Sequence, residues 1–336
     1  MSRRIVVAAL AAAVIVIPAR AGAEDPAAPA PTASAPTASA AAVNLPVGQK
    51  KATVKIRVGH LHNGRAMIMS RVPVLGTLAP FVAGQRVKVS FFLGGDKLTT
   101  KTAKVRKGHG DYGVFRSRIR MREGGKYAAS ARHVANAKLG ADRTIRKDWK
   151  ARYTSLSYGE CGRVVSGFKA AMRDLGYIAN GGDCLRGKAS RGVLAYRKVN
   201  GLSRNYHAGK RLVKRAFLGL GAYKVRHPGF GEHVEVPLSK QVLVFAKGDK
   251  PVAVYPISSG KPSTPTVQGH FNFYSSTPGY NAEGMYYSRY FYGGYAIHGY
   301  ASVPSYPASH GCVRTFIADQ PEIYERISIG EDIFVF

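Results

Sequence analysis

Acidic residues are scarce in this sequence: 19 Asp and Glu stand against 50 Lys and Arg, a formal charge of +31. Polyanion binding is the function class such a balance raises first. Long apolar runs are also missing. Outside residues 5–17, no stretch is long and apolar enough to cross a membrane, so a multi-span membrane protein is excluded. Cysteine is rare, with only Cys161, Cys184 and Cys312, which allows one disulfide and leaves one thiol over. What remains is ordinary. Hydrophobic residues make up 45% and charged residues 21%, which excludes a wholly disordered chain. The 336 residues allow two or three domains.

The N-terminus reads as an export signal. Arg3 and Arg4 precede 13 apolar residues at positions 5–17, Pro18 breaks the run, and Ala21-Gly22-Ala23 offers a cleavage site before Glu24. The alternative is an uncleaved anchor. A helix of that length spans about 20 Å, short of the ~30 Å hydrocarbon core, which favours a signal peptide over residues 1–23. Residues 24–45 are Ala, Pro, Thr and Ser almost throughout, too poor in apolar surface to fold, and read as a spacer.

Three textures follow, and they predict a multidomain, mainly β chain with a small helical domain. Residues 46–152 alternate with period 2, as in Thr53-Val54-Lys55-Ile56-Arg57-Val58, with turns at Gly94-Gly95 and Gly124-Gly125. This is the pattern of an antiparallel sandwich. Its four histidines, His60, His62, His109 and His133, form no ligand motif. Residues 158–226 switch to helical spacing. Val164, Val165, Phe168, Met172 and Leu175 mark one helix ended by Gly176. Val193 to Val199 marks a second ended by Gly201, and Leu212 to Phe217 a third. Residues 231–336 return to strands, with one helix near 319–326 for which Asp319 is the expected cap.

Charge divides unevenly among them: +20 over residues 46–152, +12 over 153–230 and −2 over 231–336. The upstream segments are therefore the electrostatic anchor, and the last domain has another task. Outside the membrane the polyanions on offer are wall polymers, lipid headgroups and stray nucleic acid.

Cys161 and Cys184 bracket the first helix of the bundle and its following loop. A bridge across their 23-residue separation would stabilise so small a domain by roughly 3 kcal/mol. Cys312 is left unpaired, in Ser309-His310-Gly311-Cys312-Val313-Arg314, with His298-Gly299 upstream at the end of a strand-like run. A thiol must ionise to attack a carbonyl, and a nearby imidazole supplies base and counter-ion. Backbone N–H groups around Gly311 and Cys312 are positioned to face an oxyanion, and Arg314 projects to the side of Cys312 if the segment is extended. There it would raise thiolate content or hold a substrate carboxylate. Two alternatives stay open: a buried structural cysteine with two surface histidines, and a zinc site, for which no Asp or Glu pattern completes the ligand set.

His298-Gly299, nine further residues and then the Ser309 to Arg314 motif resemble the signature of the L,D-transpeptidase (YkuD-like) catalytic domain. The opening Val234-Glu235-Val236-Pro237 and the Ser258-Ser259-Gly260-Lys261 stretch are similar to that domain's early strands. The resemblance covers residues 231–336. It implies a β-sandwich with the cysteine in a cleft beneath a mobile flap. It also implies roles: Cys312 as nucleophile, His298 as proton acceptor and donor, the Gly299 carbonyl as orienter and His310 as support for the nucleophile loop. Ser309 and Arg314 are expected at the substrate. By position, the Tyr-rich stretch 277–292, with Tyr290 and Tyr292, corresponds to the flap, and Gly293-Gly294 would let substrate backbone approach. Residues 158–226 resemble a three-helix peptidoglycan-binding domain, and 46–152 resemble bacterial Ig-like sandwiches in pattern only.

These resemblances imply an exported, wall-associated acyltransferase. It would cleave the L-centre to D-centre amide of a peptidoglycan stem peptide through a Cys312 thioester and pass the acyl group to an amine. No metal or organic cofactor is implied. The expected partners are stem peptides and glycan, with anionic wall polymers for the basic segments and nucleic acid excluded. L,D-carboxypeptidase action, non-catalytic wall binding and simple polyanion binding remain as alternatives.

Overall fold

The computed structural model describes residues 46–336; the export signal and spacer expected for residues 1–45 lie outside the described residues. Ten strands come first: β1 (Thr53–Val58), β2 (Arg65–Met67), β3 (Arg71–Ala79), β4 (Arg86–Leu93), β5 (Asp96–Lys104), β6 (Arg106–Lys107), β7 (Gly113–Arg120), β8 (Gly125–His133), β9 (Asp142–Arg143) and β10 (Lys147–Arg152). They form two sheets, ordered β1-β3-β7-β6 and β2-β10-β8-β4-β5, with β9 on β8. Strand β7 shows why. Gly113, Phe115, Ser117 and Ile119 are buried, while Val114, Arg116, Arg118 and Arg120 are exposed. Val74, Leu78, Val89, Phe91, Phe115 and Trp149 fill the space between the sheets. Each large side chain buried there contributes about 1.5–3 kcal/mol.

The helices expected from 3.6-residue spacing are α1 (Arg163–Asp174), α2 (Lys188–Val199) and α3 (Lys210–Phe217). Cys161 and Cys184 are bonded to each other before and after α1. The core of this layer does not end with the helices. Phe168, Val193, Tyr196 and Leu212 share one cluster with Val242, Val244, Ala246 and Val254 of the following sheet. A bundle this small is marginal alone, and the sheet beneath completes it.

That sheet holds β11 (Glu232–Val236), β12 (Val242–Lys247), β13 (Lys250–Pro256), β14 (Gly269–Asn272) and β19 (Asp332–Val335), ordered β13-β12-β11-β19-β14. Facing it is the sheet β15 (Ser275–Tyr280), β16 (Tyr286–Tyr292), β17 (Tyr295–Tyr300) and β18 (Val313–Phe316). Helix α4 (Gln320–Arg326) joins β18 to β19. Val234, Leu243, Tyr255, Phe273, Ile297 and Ile333 lie between the sheets. Strand β12 thus has helices on one face and a sheet on the other, and Val242 through Ala246 are all buried.

Polar contacts also cross between α2 and this domain. Arg191 donates through Nε and Nη2 to the two carboxylate oxygens of Asp319, at 2.5 and 2.6 Å. The expected cap is thereby corrected. Asp319 precedes α4 but makes no side-chain capping bond, because its carboxylate is taken by Arg191. Lys198 Nζ donates to the carbonyls of Ile257 and Gln241, at 2.7 and 3.1 Å. Burial, with Arg204 adding to it, lowers the Lys198 ammonium to about 7. Glu235, fully buried, accepts from Tyr223 Oη and from the Arg226 and His227 amides. Residues 46–336 accordingly belong to one compact unit. Among the described residues, no helix is long and apolar enough to cross a membrane.

Candidate active site

Strand pairing assembles the site. β17 and β18 run parallel, with Ile297 opposite Val313 and His298 opposite Arg314. Cys312 is the residue before β18, so it falls beside Ala296, whose N–H points at the sulfur. His298 is 3% exposed, and its Nδ1 lies 3.0 Å from the Gly299 carbonyl, the orienter expected from the resemblance. A carbonyl only accepts, so Nδ1 carries the proton and Nε2 is the basic nitrogen. Behind it, Thr315 Oγ1 lies 3.1 Å from the His298 carbonyl and also contacts Gln320 Oε1. Gln320 Nε2 donates to the Tyr287 carbonyl at 2.6 Å.

Burial governs both titrating groups. It raises the Cys312 thiol, against which the Ala296 N–H and the Arg314 charge act. It pulls the His298 imidazolium down to about 4; the Gly299 carbonyl opposes this and Arg314 reinforces it. At neutral pH the resting pair is therefore a thiol and a neutral imidazole. Arg314 lies over the Tyr300 ring, 4.0 Å from its centroid, and Nη1 donates to the Ala308 carbonyl at 3.4 Å.

The loop that carries Cys312 is held by contacts that the sequence did not suggest. Ser309 is 1% exposed; its Oγ donates to the Cys312 carbonyl at 2.5 Å and accepts from the Gly311 amide at 3.1 Å. A hydroxyl so engaged does not reach for substrate, and the Gly311 amide is not directed at an oxyanion. His310, expected to support the loop, is exposed, and its ring Nε2 lies 3.1 Å from Lys261 Nζ. The main chain of Ser258–Lys261 does the bracing instead. Ser258 exchanges hydrogen bonds with Arg314, the Ser259 carbonyl accepts from Ala308 and Ser309, and the Lys261 amide donates to Ser309. Gly311 has φ +124°, and a Cβ there would stand 2.7 Å from the Tyr295 ring. Only glycine suits that turn.

The Tyr-rich stretch forms the β15–β16 hairpin, and Met285 near its tip puts its sulfur 3.9 Å from Cys312 Sγ. Tyr280, Tyr286 and Tyr287 pack on one another. Tyr290 accepts from Asn281, and Tyr292, half exposed, lies against Phe271 and Tyr295. Gly293 and Gly294 border open space, and the Gly294 carbonyl lies 3.6 Å from Cys312 Sγ. Among the described residues, the one cluster of three metal-ligating side chains is Cys161, Asp183 and Cys184, two of which are bonded together. Cys312, His298 and His310 do not converge as a zinc site requires. Met285, Tyr295, Thr315 and Gln320 escaped the sequence reading; each acts through a partner distant along the chain.

Residues 231–335 match the family YkuD, the L,D-transpeptidase catalytic domain. A crystal structure of an L,D-transpeptidase (residues 123–326) from Xylanimonas cellulosilytica is 28% identical, covering 55% of this chain and 98% of its own, with a TM-score of 0.50. That share of this chain exceeds what residues 231–335 make up, so the likeness extends beyond the catalytic domain. An L,D-transpeptidase from Stackebrandtia nassauensis is 19% identical over 55% of this chain and 96% of its own, with a TM-score of 0.33. One from Mycobacterium tuberculosis H37Rv is 12% identical over 80% and 93%, with a TM-score of 0.29. A search among curated proteins returned no match. Residues 231–335 are a YkuD L,D-transpeptidase catalytic domain, folded as a β-sandwich, and they carry the one free thiol among the described residues, Cys312.

Proposed function

We propose that this chain is an exported peptidoglycan L,D-transpeptidase that works through a Cys312 thioester. The observation that carries the reading is the oriented pair: His298 with Nδ1 committed to the Gly299 carbonyl, on the strand paired with the one that Cys312 opens. As the sulfur attacks the stem-peptide carbonyl carbon, its proton passes to His298 Nε2. The oxyanion donor falls to the Cys312 amide, since Gly311 is engaged by Ser309. The C–N bond then breaks, and the leaving D-residue amine takes the proton from His298. An acceptor amine attacks the thioester and gives its proton to His298; the new C–N bond forms, the C–S bond breaks, and the thiolate is reprotonated. The signal-like N-terminus and the Cys161–Cys184 disulfide support action outside the cytoplasm. The +32 excess of residues 46–230 supports anchoring to anionic wall material.

The test is incubation of the full mature chain with purified stem peptides, read by mass. Cross-linked dimer from the wild type and none from Cys312→Ala is the expected result. Trimmed monomer alone would make the chain a carboxypeptidase, and dimer from Cys312→Ala would remove the nucleophile.

A further inference from the structure

The sheet β1-β3-β7-β6 contains no acidic residue. Its outward positions are crowded with cations. Arg116, Arg118 and Arg120 follow one another along the exposed face of β7. Lys55 and Arg57 are exposed on β1, Arg71 on β3 and Arg106 on β6. The register orders them. Arg57, Leu75 and Arg116 form one cross-strand row; Lys55, Thr77, Val114 and Arg106 form the next. β1 and β7 flank β3, so the cationic margins stand about 10 Å apart, with successive outward side chains about 7 Å apart along each strand. Beside Lys55 and Arg57 of the β1 margin runs a groove of about 360 Å³ floored by Leu75, Thr77 and Val114, with Tyr112 at one end.

Nothing in the fold itself calls for this arrangement. Arg71 stands directly opposite Arg120, a like-charge pair that opposes strand pairing. Arg120, Arg118 and Arg163 together hold the Arg71 guanidinium below its ordinary value. The other sheet of the sandwich is basic too, yet it carries Asp96, Asp142 and Asp148 and forms the Lys126–Asp148 ion pair. A bridging anion would relieve the crowding on the first sheet.

We infer that this face binds one linear anionic polymer, sugar or polyol units joined through phosphodiesters, lying along β3 with its phosphates on the arginine margins. The inference rests on the wall-associated reading above and names the surface and partner chemistry. Guanidinium forks pair bidentately with phosphate oxygens. The charge repeat along β7 suits a chain with one phosphate per unit, and the aliphatic floor suits the C–H face of a sugar or polyol. Sequence-tolerant binding of single-stranded nucleic acid uses several aromatic platforms, and the groove has one exposed aromatic, Tyr112.

The test uses the full mature chain and poly(glycerol phosphate), titrated calorimetrically across a salt series. Arg116→Glu/Arg118→Glu should bind at least about 10-fold more weakly, with the slope of log affinity on log salt reduced by about 1.5, as for two lost phosphate contacts. Lys88→Glu/Arg132→Glu makes the same change in net charge at exposed, paired positions of the other sheet. It should lose less than about 3-fold, because counterion release tracks the contacts made rather than total charge. Equal losses in the two variants would overturn the assignment of this face. Tighter binding of an oligothymidylate with the same number of phosphates would overturn the assigned partner. Turnover of soluble stem peptide, measured on the same preparations, should be unchanged in both variants. Its absence from the wild type would count against the catalytic reading alone, since the binding comparison does not depend on it.

Discussion

In an Arg191→Ala protein, the Asp319 carboxylate would stay at the head of α4 without its two guanidinium donors. That side chain is 2% exposed and Arg191 itself 14%, so water does not readily replace the lost bonds. Removing one partner of a buried pair typically costs about 3–5 kcal/mol. Lys188 lies close enough to feel the Asp319 charge, which places the loss near the lower end, about 3 kcal/mol. At 2–4 °C per kcal/mol for a chain of this size, Tm should fall by about 6–12 °C in a calorimetric or circular-dichroism melt. Arg191→Met/Asp319→Leu removes both charges and should recover most of the loss. Activity should fall as well, in kcat more than KM. Asp319 adjoins Gln320, which ties α4 to the Tyr287 carbonyl and, with Thr315, backs the His298 carbonyl. A single variant that melts within 1 °C of wild type, or a double variant no more stable than the single, would refute the reasoning.

Three further outcomes follow from the same geometry. Because burial holds His298 near 4, its neutral, proton-accepting form persists down to that value. The acid limb of kcat/KM should lie near pH 4, with activity lost as pH falls through it, and a limb near 6.5 would contradict the buried-base assignment. Replacing Cys161 and Cys184 together by serine should cost about 3 kcal/mol by the loop-entropy relation for their 23-residue separation, seen in denaturant melts, while soluble-peptide turnover at low temperature persists. Gly311→Ala forces a Cβ against Tyr295 at a left-handed φ; turnover should drop at least about 10-fold, since a small displacement of Cys312 is costly, and urea melts should show a loss of about 1–3 kcal/mol from the strained backbone.

Much of the fold was legible locally. Strand alternation in β1 and helical spacing in α1 are properties of short windows, and the structure has both elements at those positions. Cys312, His298 and Gly299, read from one nearly contiguous motif, lie on or beside the paired strands β17 and β18. What escaped were partnerships between distant residues. Asp319 looked like a cap because the sequence shows what precedes α4 but not Arg191, 128 residues upstream. The resemblance implies loop support for His310; in the structure Ser309 turns inward, while His310 is exposed with its ring beside Lys261. The shared core of helices and sheet did leave a signal: Val242 to Ala246 is an unbroken apolar run, the mark of a strand covered on both faces. It also means that residues 231–336 cut free would expose Val242, Val244 and Val254 and leave Asp319 unpaired, so the intact chain is the proper object for binding and turnover assays.

The most direct test of the account is the acyl-enzyme itself. The full mature chain should be mixed with a tetrapeptide stem, quenched in acid within the first turnovers, digested and mapped by mass. The account predicts a tripeptide acyl group in thioester linkage on the peptide containing Cys312, absent from Cys312→Ala and formed much more slowly by His298→Ala than by His310→Ala. Turnover with no adduct at Cys312, or an adduct that forms at the wild-type rate without His298, would contradict it.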